Sequence, residues 1–509
     1  MPFMNEQAEN LQRQAAALHR QGRHAEAIES YRRLLALQPG LTDCWYDLGY
    51  LLKSRGHYDE ALAAYGEALA RGVRDPEEVH LNRAVIYADH LRQDASAERE
   101  LRAALIINPD YLPALLNLGN LAEERGLREE ALATYERILA IEHGPRDDRS
   151  EALRGEALSR IAQLRPPESK DDPLLEQLGR AADNVALARH TRANLGFALG
   201  RAFDSLGLHD RAFAAFEAAN RQARQTGPSY SRQRTRRLTD ALIAAFPGGA
   251  PAGGGDAARD GPAPVFICGM FRSGSTLLEQ ALAAHPGVTP GGEIDFLPRL
   301  VRGPLSPFPA ATRALDARRL AALAEDYRAH LARLFPEAEL SGRLITDKRP
   351  DNFLLIGLIK RLFPDAKIIH TVRHPLDNGF SIFMQHLDQR AMPYSSDLAD
   401  IGHYFGQYRR LMAHWQGIYA DSILEFDYDA FVREPRPALE RVLAFLGLEF
   451  DARCLDFHLL ENTVKTASYW QVRRPLYGEA SGRWRHYAAH LAPLAAALRD
   501  AGVQDASLD

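Results

Sequence analysis

The 509-residue chain has little cysteine and no long apolar run. Its three cysteines, Cys44, Cys268 and Cys454, lie far apart and form no CxxC pair. This argues against a zinc site or a disulfide framework and fits a reducing compartment. Residues 1–13 are polar and lack the apolar stretch of a secretory signal, and no run of about 18 apolar residues occurs. We therefore expect a cytoplasmic protein without a membrane span.

The chain also lacks an excess of positive charge. Its formal net charge of −5 argues against general nucleic-acid binding, although a local basic pocket for a phosphorylated ligand remains compatible with it. Hydrophobic residues make up 46% and charged residues 25%, so the chain can build a globular core. A chain of this length is expected to form about two or three domains.

A pattern of glycine, alanine and an aromatic residue recurs in the first part of the chain, and its first two copies are 34 residues apart. Such a glycine makes the turn between two antiparallel helices, while small residues let the helices approach closely. We expect the aromatic residue to fill the space between helix pairs. A degenerate copy lies at 80–104. The other copies are Gly22, Ala27 and Tyr31; Gly56, Ala61 and Tyr65; Gly126, Ala131 and Tyr135; and, more distantly, Gly207, Ala212 and Phe216.

This pattern resembles the tetratricopeptide repeat (TPR), well over residues 7–145 and more weakly over 190–225. The resemblance implies an all-α solenoid whose concave surface binds a peptide or another protein. Alternatively, the helices only support the second domain or make it dimerise, and the sequence leaves the oligomeric state open. We assign residues 1–145 to the repeats and 146–245 to further helices with a degenerate repeat.

A stretch rich in Gly, Pro and Ala at 246–263 predicts a flexible linker. It is followed by a short apolar strand, a glycine-containing loop and a helix, an order that directs backbone N–H groups at an anion. Gly269, Gly274 and Thr276 match the P-loop motif GxxxxGK[ST], but Ser275 replaces its lysine. The missing lysine, together with Arg272 inside the loop, argues against an ATPase, a GTPase or a nucleotide kinase.

Residues 266–280 (FICGMFRSGSTLLEQ) resemble the 5′-phosphosulfate loop of sulfotransferases that use 3′-phosphoadenosine-5′-phosphosulfate (PAPS). Further along, Arg373 ends a predicted strand and Ser381 follows eight residues later, the spacing of the family's 3′-phosphate site. A guanidinium beside a hydroxyl suits a phosphate dianion. Tyr428 matches a weaker segment and alternatively packs as a core aromatic. The donor-binding residues that the resemblance implies are Arg272, Ser273, Gly274, Ser275, Thr276, Arg373, Ser381, Tyr428 and Arg474.

Sulfuryl transfer needs a base for the acceptor's hydroxyl proton and cations for the charge that develops on the donor. Gly291-Gly292-Glu293 is similar to the glycine–glutamate pair of tyrosylprotein sulfotransferases, which implies Glu293 as the base and leaves Asp295 as the alternative. Lys348 resembles the family's sulfate-contacting lysine, and Arg349 is the alternative. Ser468, in a segment similar to SxxQVxKP, corresponds to a sulfate-contacting serine. Residues 482–485 (GRWR) are similar to a GxWK stretch near the 3′-phosphate.

These observations predict a multidomain protein in which an all-α TPR solenoid precedes an α/β, P-loop-like, parallel-sheet sulfotransferase domain at 264–495. The resemblance implies an enzyme that moves a sulfuryl group from PAPS to a hydroxyl without a metal. Protein tyrosine is one acceptor class, and a sugar or a small metabolite is another. The repeats would bind a protein or peptide, either the acceptor or a partner. The alternative is an inactive sulfotransferase-like scaffold that binds protein partners.

Overall fold

The structure is a computed structural model that describes residues 2–143, 147–248, 264–337, 343–460, 471–473, 476 and 481–503. The chain divides into two compact units: the first comprises residues 1–123 and 127–157, and the second comprises 124–126 and 158–509. Most of the predicted linker, Ser468 and Arg474 lie outside the described residues. Among the helices that are described, none is both long and apolar enough to span a membrane.

The first unit is built from helices joined by short turns. Its pairs α1–α2, α3–α4 and α5–α6 pack together. The boundary between the units falls within α9. The helices are α1 (Pro2–Arg20), α2 (His24–Leu37), α3 (Thr42–Ser54), α4 (Tyr58–Ala70), α5 (Pro76–Val85), α6 (Asp94–Ile107), α7 (Leu112–Glu124), α8 (Arg128–Ala140) and α9 (Asp148–Leu164).

Close approach of the two helices within a pair explains the repeated glycines. A Cβ atom on Gly49 would lie 2.7 Å from the Tyr65 ring, and one on Gly119 would lie 2.5 Å from the Tyr135 ring. Both distances are far below van der Waals contact, so only glycine fits. In these two copies the aromatic residue packs against the glycine of its own helix pair, while Tyr31 of α2 reaches the next pair and donates to Asp47 of α3 at 2.9 Å.

The turns between paired helices use left-handed backbone. Gly22 has φ +73° and Gly56 has φ +81°. In the degenerate copy, α5 runs into a π-helical turn at Ile86–His90, and Arg92 adopts φ +55° without being a glycine. The turn geometry is thus kept where the sequence pattern is lost, although a side chain makes this backbone conformation less favourable.

The second unit contains more helices and a parallel sheet. Helices α11 and α12 form a hairpin that corresponds to the weak repeat copy at 190–225. The elements are α10 (Pro173–Asp183), α11 (Arg189–Ser205), α12 (His209–Ala223), α13 (Arg232–Ala245), β1 (Pro264–Gly269), α14 (Ser275–Ala283), β2 (Val288–Thr289), α15 (Phe296–Arg302), α16 (Ala317–Leu334), β3 (Leu344–Lys348), α17 (Ile356–Leu362), β4 (Lys367–Val372), α18 (Pro375–Phe383), α19 (Leu398–Ile418), β5 (Ile423–Asp427), α20 (Tyr428–Arg433), α21 (Pro435–Leu446) and α22 (Ala492–Asp500).

The five strands are parallel and lie in the order β2-β3-β1-β4-β5. Both faces of the sheet are covered, and the central strand β1 is accordingly an almost continuous apolar run. Val265 and Ile267 on β1 pack into a core shared with α14 and α21. Phe266 points to the other face, toward Tyr327 and Phe363. The carboxyl ends of β3, β1 and β4 therefore meet at one edge, where ligands bind in sheets of this type. The predicted fold class is confirmed.

Candidate active site

The loop between β1 and α14 is held tightly against the next strand. A Cβ atom on Gly269 would lie 2.4 Å from the Thr371 carbonyl oxygen, so this strand end requires glycine. The Ser273 hydroxyl lies 2.7 Å from the Thr371 hydroxyl, and both side chains are buried. The side chain of Ser273 therefore braces the loop, while Ser275 and Thr276 stand at the start of α14, where helix N–H groups lack intrahelical partners.

Four predicted donor-binding residues from different elements come together beside this loop. Arg272 Nε donates to Ser381 Oγ at 3.2 Å, and Arg373 Nη1 donates to the Arg272 carbonyl oxygen at 3.3 Å. The Arg373 guanidinium lies 4.9 Å from the centre of the Tyr428 ring, a cation–π contact. Two guanidinium groups and a hydroxyl thus form one basic corner at the carboxyl edge of β1 and β4.

The predicted base and the predicted cation form an ion pair. Lys348 Nζ lies 3.0 Å from Glu293 Oε1; the Lys348 side chain is 1% exposed, whereas that of Glu293 is 36% exposed. The pair also has backbone support, because Lys348 N–H donates to the Gly292 carbonyl oxygen at 2.9 Å. A buried ammonium therefore faces a carboxylate that reaches solvent.

The two alternatives for these roles have other contacts. Asp295 pairs with Arg299 at 3.4 Å, one turn further along α15. Arg349 Nε donates to Asp351 at 3.1 Å. The structure thus pairs Lys348 with Glu293 and gives each alternative an ion partner of its own.

Sequence reasoning missed Glu279, which fixes the turn that carries Glu293. Glu279 Oε1 accepts from Gly292 N–H at 2.9 Å and from the Thr346 hydroxyl at 2.6 Å. A Cβ atom on Gly291 would lie 1.9 Å from the Thr346 carbonyl oxygen, so the turn lies directly against β3. From the sequence alone, a glutamate on a short helix such as α14 would be expected to face solvent. Only the burial of Glu279 in the structure reveals this positioning role.

Asp347, next to Lys348, is buried on the opposite face of β3. It accepts hydrogen bonds from the Tyr327 hydroxyl at 2.8 Å and from Asn352 Nδ2 at 3.1 Å. Burial raises the pKa of Asp347 to about 7, and the hydrogen bonds from Tyr327 and Asn352 only partly oppose it. This carboxyl group therefore changes charge near neutral pH.

Asp377 and Asp429, also missed by sequence reasoning, attach the 481–484 turn to the basic corner. Asp377 accepts from the Gly482 and Trp484 N–H groups at 2.6 and 2.8 Å. Asp429 accepts from the Ser481 hydroxyl at 2.6 Å and from the His374 N–H at 2.8 Å. The Trp484 ring stacks on His374, directly after Arg373, with ring centres 5.5 Å apart. The signals in the sequence were the nearness of Asp377 to Arg373 and of Asp429 to Tyr428.

A parallel sheet with a glycine-containing anion loop, and with basic side chains at the neighbouring strand ends, defines an α/β domain suited to a phosphorylated ligand. Residues 264–452 match the model of the sulfotransferase family. Residues 18–84 and 114–149 each match a model of the tetratricopeptide repeat. Models of the tetratricopeptide repeat and of the sulfotransferase family thus match successive parts of the chain.

Known proteins are similar to this chain over different lengths. An uncharacterized protein of Aquifex aeolicus is 29% identical over 414 residues, which cover 79% of this chain and 52% of the relative, so the chain spans about half of that protein. A putative protein-tyrosine sulfotransferase of Caenorhabditis briggsae is 24% identical over 38% of this chain and 69% of its own length. The solved sulfotransferase domain of the Synechococcus PCC 7002 olefin synthase is 25% identical, with a TM-score of 0.34, over 47% of this chain and 90% of that structure.

Proposed function

We propose that the second unit transfers a sulfuryl group from PAPS to a hydroxyl group. The observation that carries this proposal is the convergence of three features at the carboxyl edge of β3, β1 and β4. These are the anion loop, the Arg272–Ser381–Arg373 corner and the Lys348–Glu293 pair. Adjacent strands lie about 4.8 Å apart, so these features are close enough for one nucleotide to span them.

The residues present fit the donor. The loop and the N-terminus of α14 would hold the 5′-phosphosulfate through backbone N–H groups. The glycines at 269 and 274 support this loop shape, because a Cβ atom there would collide with the Thr371 carbonyl oxygen or with the Tyr428 ring. Arg373 and Ser381 would hold the 3′-phosphate, since a fixed guanidinium and a hydroxyl complement a dianion.

The ion pair suits the transfer step. Glu293 would accept the proton of the acceptor hydroxyl as that oxygen forms a bond to sulfur. The bond between sulfur and the bridging phosphate oxygen breaks at the same time, and the nucleotide bisphosphate leaves. The Lys348 ammonium would offset the charge that develops on the bridging oxygen. The difference in exposure between the Lys348 and Glu293 side chains supports this assignment of roles, because only the carboxylate must reach an incoming acceptor.

We propose a protein tyrosine as the acceptor and the TPR repeats as its binding surface. Support comes from the Gly291-Gly292-Glu293 segment and from relatives in Caenorhabditis briggsae and Drosophila melanogaster that are named as protein-tyrosine sulfotransferases. The repeat matches support a peptide-binding first unit. A sugar or a small metabolite is the competing acceptor class, and an inactive scaffold is the competing function.

Donor binding is tested by calorimetric titration of the full chain with 3′-phosphoadenosine-5′-phosphate, with magnesium and separately with excess chelator. We expect saturable binding under both conditions. Arg373→Ala should weaken it about tenfold or more, since it removes a charged phosphate contact. Arg318→Ala, which removes an exposed arginine of α16, is the matched control and should change nothing. Absence of binding by folded wild-type protein would overturn the proposal.

The acceptor class is tested by incubating the full chain with radiolabelled PAPS and paired peptides. One peptide contains tyrosine and its partner contains phenylalanine at the same place. Label should enter only the tyrosine peptide. Label entering sugars or small phenols but neither peptide would replace the protein acceptor, and no transfer to any hydroxyl despite donor binding would favour the scaffold.

A further inference from the structure

The hairpin α11–α12 holds a segment that borders the proposed donor site. Asp204, near the end of α11, accepts a hydrogen bond from the Tyr487 hydroxyl at 2.5 Å and pairs with the Arg483 guanidinium. The Asp204 side chain is only 9% exposed. Both partners belong to the 3-10 helix Arg483–His490, whose first two residues are also the last two of the 481–484 turn.

The same segment packs along α18, the helix that carries Ser381. Asp377 on α18 binds the Gly482 and Trp484 N–H groups at 2.6 and 2.8 Å. The Phe380 ring lies 4.2 Å from the Tyr487 ring, centre to centre. Asp204 therefore secures the outer side of a segment whose inner side contacts the helix of the basic corner.

Helix α12 supports the other end of α18. Asn220 is buried and donates from Nδ2 to the Phe383 carbonyl oxygen at 2.8 Å, at the last residue of α18. Phe213 stacks on the Phe383 ring with centres 5.6 Å apart. The hairpin thus contacts α18 directly through α12 and indirectly through the segment that Asp204 secures.

We propose that Asp204 is a positioning residue for nucleotide binding, acting through Arg483 and Tyr487 on α18 and its Ser381. The weak repeat copy would then be part of the donor site rather than part of the partner-binding array. This inference rests on the proposed function, because it assumes that Arg373 and Ser381 bind the nucleotide.

The expected effect of changing Asp204 follows from its ion pair with Arg483. Replacing the Asp204 carboxylate by an amide removes the counter-charge of the Arg483 guanidinium, whose side chain is 34% exposed, and the charged acceptor of the Tyr487 hydroxyl at a position where Asp204 is only 9% exposed. The segment would shift to hydrate this group, and the turn bound to Asp377 would move with it. Helix α18 and its Ser381 hydroxyl would then be held less firmly. The nucleotide would have to order them on binding, which lowers its affinity.

The test compares wild-type protein, Asp204→Asn and Tyr487→Phe by titration with 3′-phosphoadenosine-5′-phosphate. It also follows the thermal midpoint and the steady-state kinetics with PAPS. We expect Asp204→Asn to weaken nucleotide binding about tenfold and to raise KM for the donor to match, with kcat within about twofold. Tyr487→Phe removes one hydroxyl and should weaken binding about threefold. Glu217→Gln, an exposed carboxylate on α12 that pairs with Arg221, is the control and should bind like wild type.

The outcomes separate this inference from the function on which it rests. Wild-type protein that fails to bind nucleotide would refute the proposed function, and the role of Asp204 with it. Wild-type binding together with equal binding by Asp204→Asn would refute the role of Asp204 alone. If Asp204→Asn does not fold, Tyr487→Phe decides, and a folded Tyr487→Phe protein with unchanged affinity contradicts the inference. A fall in kcat at constant KM would also contradict it.

Discussion

At the scale of single residues, exposure separates the members of the Lys348–Glu293 pair. The carboxylate reaches solvent while the ammonium is enclosed. We expect Glu293→Gln to lower kcat about a hundredfold or more, because the amide cannot accept the acceptor's proton. Nucleotide affinity should stay within about twofold. Asp295→Asn, two residues away, is the control and should keep turnover in the peptide assay. Normal turnover by Glu293→Gln, or an equal loss in both variants, would remove Glu293 as the base.

The raised pKa of Asp347 predicts how the stability of the protein depends on pH. Its folded-state pKa of about 7 lies above the ordinary aspartate value near 4. Between these values the folded protein binds more protons than the unfolded chain, so the contribution of Asp347 to stability falls as pH rises. Asp347→Asn does not titrate and should therefore gain stability relative to wild type from pH 5 to pH 8.

Urea unfolding at several pH values measures this difference directly. The control is Asp326→Asn, an exposed change on α16 one residue before Tyr327. Its stability relative to wild type should stay nearly constant over the same range. If the free energies of unfolding of Asp347→Asn and wild type differ by the same amount from pH 5 to pH 8, Asp347 does not titrate in that range.

The residue scale also marks the limit of sequence reasoning. Motif spacing named Arg272, Arg373 and Ser381, and the structure brings these three together. It could not name Glu279 or Asp377, because a buried carboxylate that accepts N–H groups looks the same in sequence as a solvated one. Their partners lie 13 and more than 100 positions away, so no local pattern records the contact.

At the scale of elements, the anion loop depends on Gly274. This residue has φ +96°, and a Cβ atom on it would lie 2.5 Å from Cδ2 of Tyr428. Gly274→Ala should therefore strain the backbone and displace the ring that contacts Arg373. We expect a lower thermal midpoint and nucleotide binding at least about tenfold weaker.

A second glycine provides the matched comparison. Gly417 lies on α19, and a Cβ atom there would meet nothing within 4 Å. Gly417→Ala should be neutral or stabilising by up to about 1 kcal/mol, since alanine favours helix. Equal behaviour of the two variants in melting and titration experiments would show that the loop tolerates a side chain and that its geometry does not require glycine.

Elements were predictable where a pattern is local. The glycine–alanine–aromatic spacing predicts the helix hairpins, and the apolar runs predict β1 and β4. The role of α11–α12 was not predictable, because its repeat signature describes the contact between the two helices. Asn220, which contacts α18, and Asp204, which contacts the 3-10 helix Arg483–His490, lie outside that signature.

At the scale of the whole molecule, the second compact unit begins well before the sheet. Helices α12 and α13 and the segment between them contact α18 and α19 through buried and charged groups. Asn220 binds the end of α18, Arg232 pairs with Asp400 at 2.7 Å, and Tyr230 lies 2.9 Å from His403 Nδ1. A domain that starts at residue 264 would expose these surfaces to water and lose their hydrogen bonds.

Two fragments test where the folding unit begins. Residues 147–509, which keep α9 whole, should give one cooperative melting transition and bind 3′-phosphoadenosine-5′-phosphate within about threefold of the full chain. Residues 264–509 should aggregate or melt without cooperativity and bind the nucleotide weakly, because the apolar side of α18 around Phe383 loses its cover. If the shorter fragment folds and binds like the longer one, the helices before the sheet are dispensable for the donor site. The positioning role of α11–α12 would then fall with them.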